Sequence, residues 1–204
     1  MVYISKVYTK FGDGGDTMLA SGDTVSKGSP RVAAYGEVDE LNATIGLVRL
    51  ELTRDPAVES SPARAEFAAR LDLTLATIQQ ELFDLGAELS EPGAVAGKAR
   101  LKIEDGDIEA LEREIDRLNE RLEPLRSFVL PGGGPVGAAA HLARTVCRRA
   151  ERHAVALVRE HNEPIRGQAL RYLNRLSDYL FVVGRAASHE LGHAEVLWDQ
   201  RRKR

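Results

Sequence analysis

The chain of 204 residues reads as all-α: a five-helix up-and-down bundle preceded by an N-terminal glycine-rich loop. Three observations predict this. Apolar residues recur at steps of three and four through five long segments, the period of a helix with one buried face. The breaks between segments are short and marked by Pro, Gly, Ser and Asn, as in bundles with short connections. The stretch before Ser29 has no such period and carries Gly12, Gly14, Gly15, Gly22 and Gly28 among Asp, Ser and Thr.

The first segment, Val2-Tyr3-Ile4, suggests a short extended start to that loop. Ser29-Pro30 then opens a helix, with serine as N-cap and proline in the first turn. Val38, Leu41, Ile45, Val48 and Leu52 give its apolar stripe, so it runs to about Glu51. Residues 53–61 form a linker. The second helix carries Phe67, Leu71, Leu75, Ile78, Leu82, Leu85 and Leu89, and Glu91-Pro92-Gly93 ends it. Residues 92–102 are a loop. Asp105 can cap a third helix bearing Ile108, Leu111, Ile115, Leu118 and Leu122. Phe128 to Pro135 is a tight apolar-to-glycine turn, and Pro135 starts the fourth helix. Asn162-Glu163-Pro164 separates it from a fifth, over about 165–188. That helix is apolar on most sides (Leu170, Leu173, Leu176, Leu180, Phe181, Val182 and Val183), so it lies at the centre of the bundle or at a subunit interface. The expected organisation is one domain over 1–204, with a loop or arm at 1–29, the bundle at 30–190 and a tail at 191–204.

Composition narrows the function classes. Hydrophobic residues at 43% and charged residues at 29% are those of a globular chain. A net charge of -3 gives no global basicity, so nucleic acid is not an expected partner and any phosphate site must be a local cluster. The one cysteine, Cys147, excludes a disulfide framework and fits a reducing compartment. There is no apolar run of membrane-spanning length and no signal pattern in residues 1–10, so a cytoplasmic location is expected.

The densest chemistry lies between Arg144 and Arg152, with four arginines and one glutamate in nine residues. On a helix, Arg144, Arg148 and Glu151 share a stripe, with Arg149 and Arg152 turned away. Val146, Ala150, His153 and Leu157 form a neighbouring apolar stripe. Arginine forks match phosphate and carboxylate oxygens, so the segment suits a triphosphate or an acidic partner. It equally suits a solvated basic face or salt-bridged packing. The glycine loop from Tyr8 to Thr17 brings backbone N–H groups, Lys10 and a hydroxyl together, as an anion cradle needs, yet it is neither a Walker A loop nor a dinucleotide fingerprint, and taken alone it reads more readily as a plain flexible Gly/Asp loop. Asp39, with Asn42, sits at the edge of an apolar stripe, where it either needs a partner, for which Arg144 is a candidate within the chain or across an interface, or is equally a plain surface acid. Asn174, Asp178 and Phe181 share one side of the last helix. His189-Glu190-Leu191-Gly192-His193 matches the zinc-peptidase pattern H-E-x-x-H, with no third ligand at a familiar spacing. A di-metal bundle would need two inward Glu-x-x-His pairs, and only Glu190 with His193 has that spacing.

Four segments in order resemble one family. YTKFGDGGDT, Lys27 with PRVAAYGEVDELN, FVLPGG at 128–133, and RTVCRRAER with YLNRLSDYLF are similar to the PduO-type corrinoid adenosyltransferases, across nearly the whole chain. The closing HELGHAEVLW also resembles the family's last segment. The resemblance implies a five-helix fold, a homotrimer, and an enzyme that transfers the 5′-deoxyadenosyl group of ATP to cob(I)alamin with release of triphosphate. It implies ATP at the subunit interface, held by Thr9, Lys10, Phe11, Gly12, Thr17, Met18 and Lys27 of one chain and by Arg148, Arg149, Ala150, Glu151, Arg152 and Asn174 of its neighbour. Asp39 and Arg144 fall on the family's intersubunit salt bridge, and Phe128 on the aromatic that favours four-coordinate cobalt. Mg²⁺ would arrive on ATP with no protein ligand assigned, and a reductase and an acceptor enzyme would be partners. Two positions depart from the family: Phe11 stands where threonine is usual, and Met18 replaces the second hydroxyl of a pair.

Overall fold

A serine followed by proline starts each of the first two long helices. In the computed structural model, which describes residues 8–92 and 101–199, α1 spans Pro30–Arg54 and α2 spans Pro62–Leu89. The hydroxyls of Ser29 and Ser61 accept bonds from the backbone N–H of Val32 and Arg64. Each satisfies a donor that the first turn leaves open, and proline has none to leave. α3 is Asp105–Asn119, α4 is Gly134–Arg159 and α5 is Gly167–Leu191.

The five expected helices are all present; their ends differ. α1 continues past Glu51 to Arg54, and the linker after it holds a single 3₁₀ turn, Val58–Ser60. Asp105 is the first helical residue of α3 rather than its cap. The cap is Glu104, in a reciprocal box with Asp107. α3 stops at Asn119, short of Leu122, and α5 runs on to Leu191, where Gly192 at φ 78° ends it in the left-handed conformation that glycine adopts freely. The loop before α1 contains two short antiparallel strands, β1 (Asp16–Met18) and β2 (Thr24–Ser26), with Thr17 opposite Val25. The expected extended start at Val2-Tyr3-Ile4 and most of the 92–102 loop lie outside the described residues.

Packing does not follow chain order. α1 packs on both α2 and α4, α4 on α5, and α5 on α3. The buried face of α4 is made of small side chains, Ala140, Ala143, Cys147, Ala150 and Ala154, so α1 and α5 approach it closely. α5 is central: Tyr172, Leu173, Leu176, Tyr179, Leu180 and Val183 are fully buried. Each such large side chain contributes about 1.5–3 kcal/mol through burial. The Tyr172 hydroxyl donates to Glu81 Oε2 on α2 at 2.6 Å. Among the described residues, no helix is long and apolar enough to cross a membrane.

Candidate active site

Glycine density in the N-terminal loop becomes a turn closed by a lysine. Lys10 opens it at φ 64°, a left-handed conformation uncommon for a residue with a side chain. A 3₁₀ turn over Phe11–Gly14 follows, and Gly15 at φ 93° leads into β1. From β2 the chain returns so that Lys27 N–H donates to the Gly15 carbonyl at 2.8 Å and Lys27 Nζ to the Gly12 carbonyl at 2.8 Å. Thr9, Lys10, Phe11, Met18 and Lys27 are exposed on this loop, and Gly12 and Thr17 are half-buried. Lys10 makes no ion pair among the described residues.

The second group lies between α4 and α5. Arg144 and Arg148, one turn apart on α4, line a cleft of about 200 Å³ with Ser177, Asp178, Phe181 and Val182 of α5. Arg148 is exposed and makes no ion pair among the described residues. Arg144 is partly buried, and its Nε is a buried donor without a partner. Burial, and then the charge of Arg148, lowers its pKa below the ordinary arginine value. The site therefore favours an incoming anion. Beside it, Asn174 Nδ2 donates to Glu151 Oε1 at 3.1 Å, and an Arg152 guanidinium N–H donates to the Arg148 carbonyl at 3.1 Å.

Three residues in or beside the arginine segment lie elsewhere. Arg149 faces α1, where its Nε donates to Glu37 at 2.5 Å and its terminal nitrogen to Glu40. Those two carboxylates raise its pKa. Ala150, expected to line a nucleotide, is fully buried in the core between helices, so its side chain is closed to any ligand. His153 is not on the apolar stripe; it is half-exposed, 3.9 Å from Glu37.

Asp39 belongs to a third place. It is exposed on a cleft of about 520 Å³ between α1, α2 and the N-terminal loop, lined also by Met18, Leu19, Tyr35, Asn42, Leu82 and Phe83. This is the larger cleft, and no cation is among the described residues that line it. Asp39 makes no ion pair among the described residues, and within the chain it lines a different cleft from Arg144. Asn42 is bound away, its side-chain N–H donating to the Gln79 carbonyl at 3.0 Å.

Phe128 precedes α4 and is 75% exposed. Backbone bonds hold it in place. Leu130 N–H donates to the Val196 carbonyl at 2.8 Å, and Trp198 N–H to the Phe128 carbonyl at 2.7 Å. Val129 and Leu197 are antiparallel partners, and the Trp198 ring lies 6.1 Å from the Phe128 ring. Sequence reasoning missed this pairing, although the apolar run Val196-Leu197-Trp198 just after a helix-ending glycine was a signal for it. It also missed Ser177 and Val182 in the arginine cleft, which read as ordinary positions on an apolar helix.

The H-E-x-x-H letters do not form a metal site geometrically. Gly192 ends α5 between the histidines, so they do not share a helix face. His193 Nε2 lies 2.7 Å from Asp55 Oδ2, and Glu190 pairs with Arg121 at 3.1 Å.

A family model described as cobalamin adenosyltransferase matches residues 7–187. A corrinoid adenosyltransferase of Bacillus subtilis is 40% identical over 195 residues, covering 96% of this chain and 93% of that protein. The corrinoid adenosyltransferase PduO of Salmonella typhimurium is 40% identical over 191 residues, covering 94% of this chain and 52% of that longer protein. Among solved structures, a phenylalanine-to-alanine variant of a PduO-type ATP:corrinoid adenosyltransferase from Lactobacillus reuteri, complexed with cobalamin and ATP, superimposes with a TM-score of 0.81 at 36% identity, covering 95% of this chain and 99% of that one. An arginine-to-lysine variant from the same organism, complexed with ATP, gives 0.80 at 37% identity, covering 95% and 100%.

Proposed function

The chain belongs to the cobalamin adenosyltransferase family, and from that premise we propose which of its residues hold the reactants while an adenosyl group passes from ATP to a corrinoid. The observation that carries the reading is the pair Arg144 and Arg148, two neighbouring cations with no ion pair among the described residues, one with a buried orphan donor. Such a pair is complementary to a polyanion or to a carboxylate from another chain.

Cobalt in the reduced, cob(I) state attacks C5′ of ATP. A cobalt–carbon bond forms as the bond from C5′ to the triphosphate oxygen breaks, and the electron pair leaves on triphosphate. Arg148, Lys10 and Lys27 meet the charge that develops there, so their contacts strengthen as the reaction advances. The loop side of the pocket is Thr9, Phe11, Gly12, Thr17 and Met18, with Phe11 contributing backbone where its side chain offers no hydroxyl. The bundle side is Arg148, Glu151, Arg152 and Asn174. Arg149, bound to Glu37 and Glu40, sets the rotation of α4 that aims Arg148 outward. No protein nucleophile or general base takes part.

Mg²⁺ travels on the phosphates in this reading and supplies further neutralisation of their charge. Among the described residues, no group of three His, Cys, Asp or Glu side chains could hold a metal ion. Phe128 presents a dry apolar surface to the lower face of the corrin, excluding water and the axial base. Four-coordinate cobalt(II) is then easier for a reductase partner to reduce. An acceptor enzyme takes the product, and the buried, unpaired Cys147 fits work in the cytoplasm.

The glycine loop and the arginine cleft meet between protomers of a homotrimer, and Asp39 of one chain neutralises Arg144 of the next. Complementation tests this. Lys10→Ala chains and Arg148→Ala chains, each inactive alone, are co-refolded and assayed with ATP, Mg²⁺ and chemically reduced cobalamin. About a quarter of the sites then combine an intact loop with an intact helix, and activity returns in that proportion. No recovery from co-refolded, assembled protein would overturn the shared site.

A further inference from the structure

The segment after α5 is fastened to the bundle at three points. His193 Nε2 meets Asp55 Oδ2 at 2.7 Å, Glu195 meets Arg185 Nε at 3.3 Å, and residues 196–198 pair with 128–130. The first is the most constrained. Asp55 caps the end of α1 and is 3% exposed. Its other carboxylate oxygen accepts from Ala57 N–H at 3.0 Å, so the carboxylate cannot turn without losing a bond. His193 is held from behind by its own N–H, which donates to the Ser188 carbonyl at 2.8 Å. Its ring fills the space a side chain at Gly134 would need, so a methyl group there would overlap it. Ser188 Oγ lies 2.7 Å from the Gly184 carbonyl and 3.0 Å from the neighbouring Gly133 carbonyl, two acceptors for its one proton. The His193 ring thus sits between the glycine turn that follows Phe128 and the buried end of α1.

We propose that Asp55 and His193 are positioning residues for the corrinoid face: their pair fixes the C-terminal strap and the glycine turn together, and so sets how far Phe128 projects. This rests on the reading of Phe128 given above. The glycine turn controls Phe128 through the chain, and the strap controls it through the backbone bonds at Leu130 and Trp198. Both lead back to one imidazole. His193 does not touch the nucleotide cradle, so its effect falls on the corrinoid step alone.

The experiment compares His193→Ala, His193→Gln and Asp55→Asn with the unchanged protein and with Phe128→Ala. Cob(II)alamin and ATP are added, the four-coordinate cobalt(II) fraction is read by electron paramagnetic resonance, and turnover is measured with a reductant. His193→Ala is expected to lower that fraction and kcat by about tenfold, as a small misplacement at a reacting centre does, with KM for ATP within about twofold. His193→Gln, whose amide reaches the place of Nε2, restores most of both. Asp55→Asn, which keeps the size of the side chain, acts in the same direction as His193→Ala and keeps the test alive if that variant melts without cooperativity. A full four-coordinate signal in His193→Ala and Asp55→Asn overturns the proposal, as does a rise in KM for ATP that parallels the fall in kcat. An unchanged signal in Phe128→Ala instead overturns the role of Phe128, and the two failures are distinguishable.

Discussion

Arg148 and Arg149 are adjacent in the chain and opposite in commitment: Arg149 is bound to Glu37 and Glu40 on α1, while Arg148 faces the cleft it shares with Asp178 and makes no ion pair among the described residues. Arg148→Ala should therefore lower kcat/KM by roughly 2–4 kcal/mol, the size of one lost charge-assisted contact to a developing anion. Arg149→Ala should lower Tm and cost less activity than Arg148→Ala. Steady-state kinetics and a thermal melt on both variants check this, and equal losses of kcat/KM would contradict it.

Among the described residues Asp39 and Arg144 make no ion pair, and they line different clefts of one chain, so the proposed pairing between chains predicts a charge-swap rescue. Asp39→Arg and Arg144→Asp should each weaken assembly, read by sedimentation, and their combination should recover part of it. A double-mutant cycle with a coupling near zero would contradict the pairing.

Gly12 has room for a side chain only where Lys27 now lies. A Cβ there would come 2.7 Å from Lys27 Nζ, the mobile end of that chain. Gly12→Ala should displace the ammonium and raise KM for ATP, with Tm nearly unchanged because nothing in the core moves. A large fall in Tm would show that the lysine serves the fold rather than the nucleotide.

Burial raises the pKa of Glu81 above its ordinary 4.5, against the opposing effect of the Tyr172 hydroxyl bond. An acid that binds its proton more tightly folded than unfolded makes stability fall as pH rises, from the ordinary glutamate value to the raised one, and level off above. Glu81→Gln keeps an oxygen to accept from Tyr172 and carries no charge, so it should flatten that slope. Urea unfolding at a series of pH values measures it, and an unchanged slope would assign the pH dependence to another group.

The five helices were legible because each carries its own period and its own start signal, as Ser29-Pro30 and Ser61-Pro62 show. Their pairing was not. Nothing local says that α1 packs on α4, since the cause is the run of small residues from Ala140 to Ala154 meeting a partner far away in the chain. The arginine cleft was legible as a charge cluster, and Glu151 with Asn174 proved to be neighbours. The different fate of Arg149 was hidden because it depends on Glu37 and Glu40 of another helix. Asp55 and His193 are 138 positions apart, and each read locally as part of something else, a linker and a metal motif. The Ala150 side chain is fully buried where the helices meet, a position that requires a small residue.

α4 also acts as a ruler. Gly134, beside the aromatic platform, and Arg148 lie on the same uninterrupted helix, and at 1.5 Å per residue the separation along it is about 21 Å. A helix clamped on two sides by close-packed neighbours does not stretch or shorten. The span between where a corrin ring would rest and where a phosphate tail would be gripped is therefore set by counting residues, and inserting or deleting one would rotate every contact beyond it by about 100°.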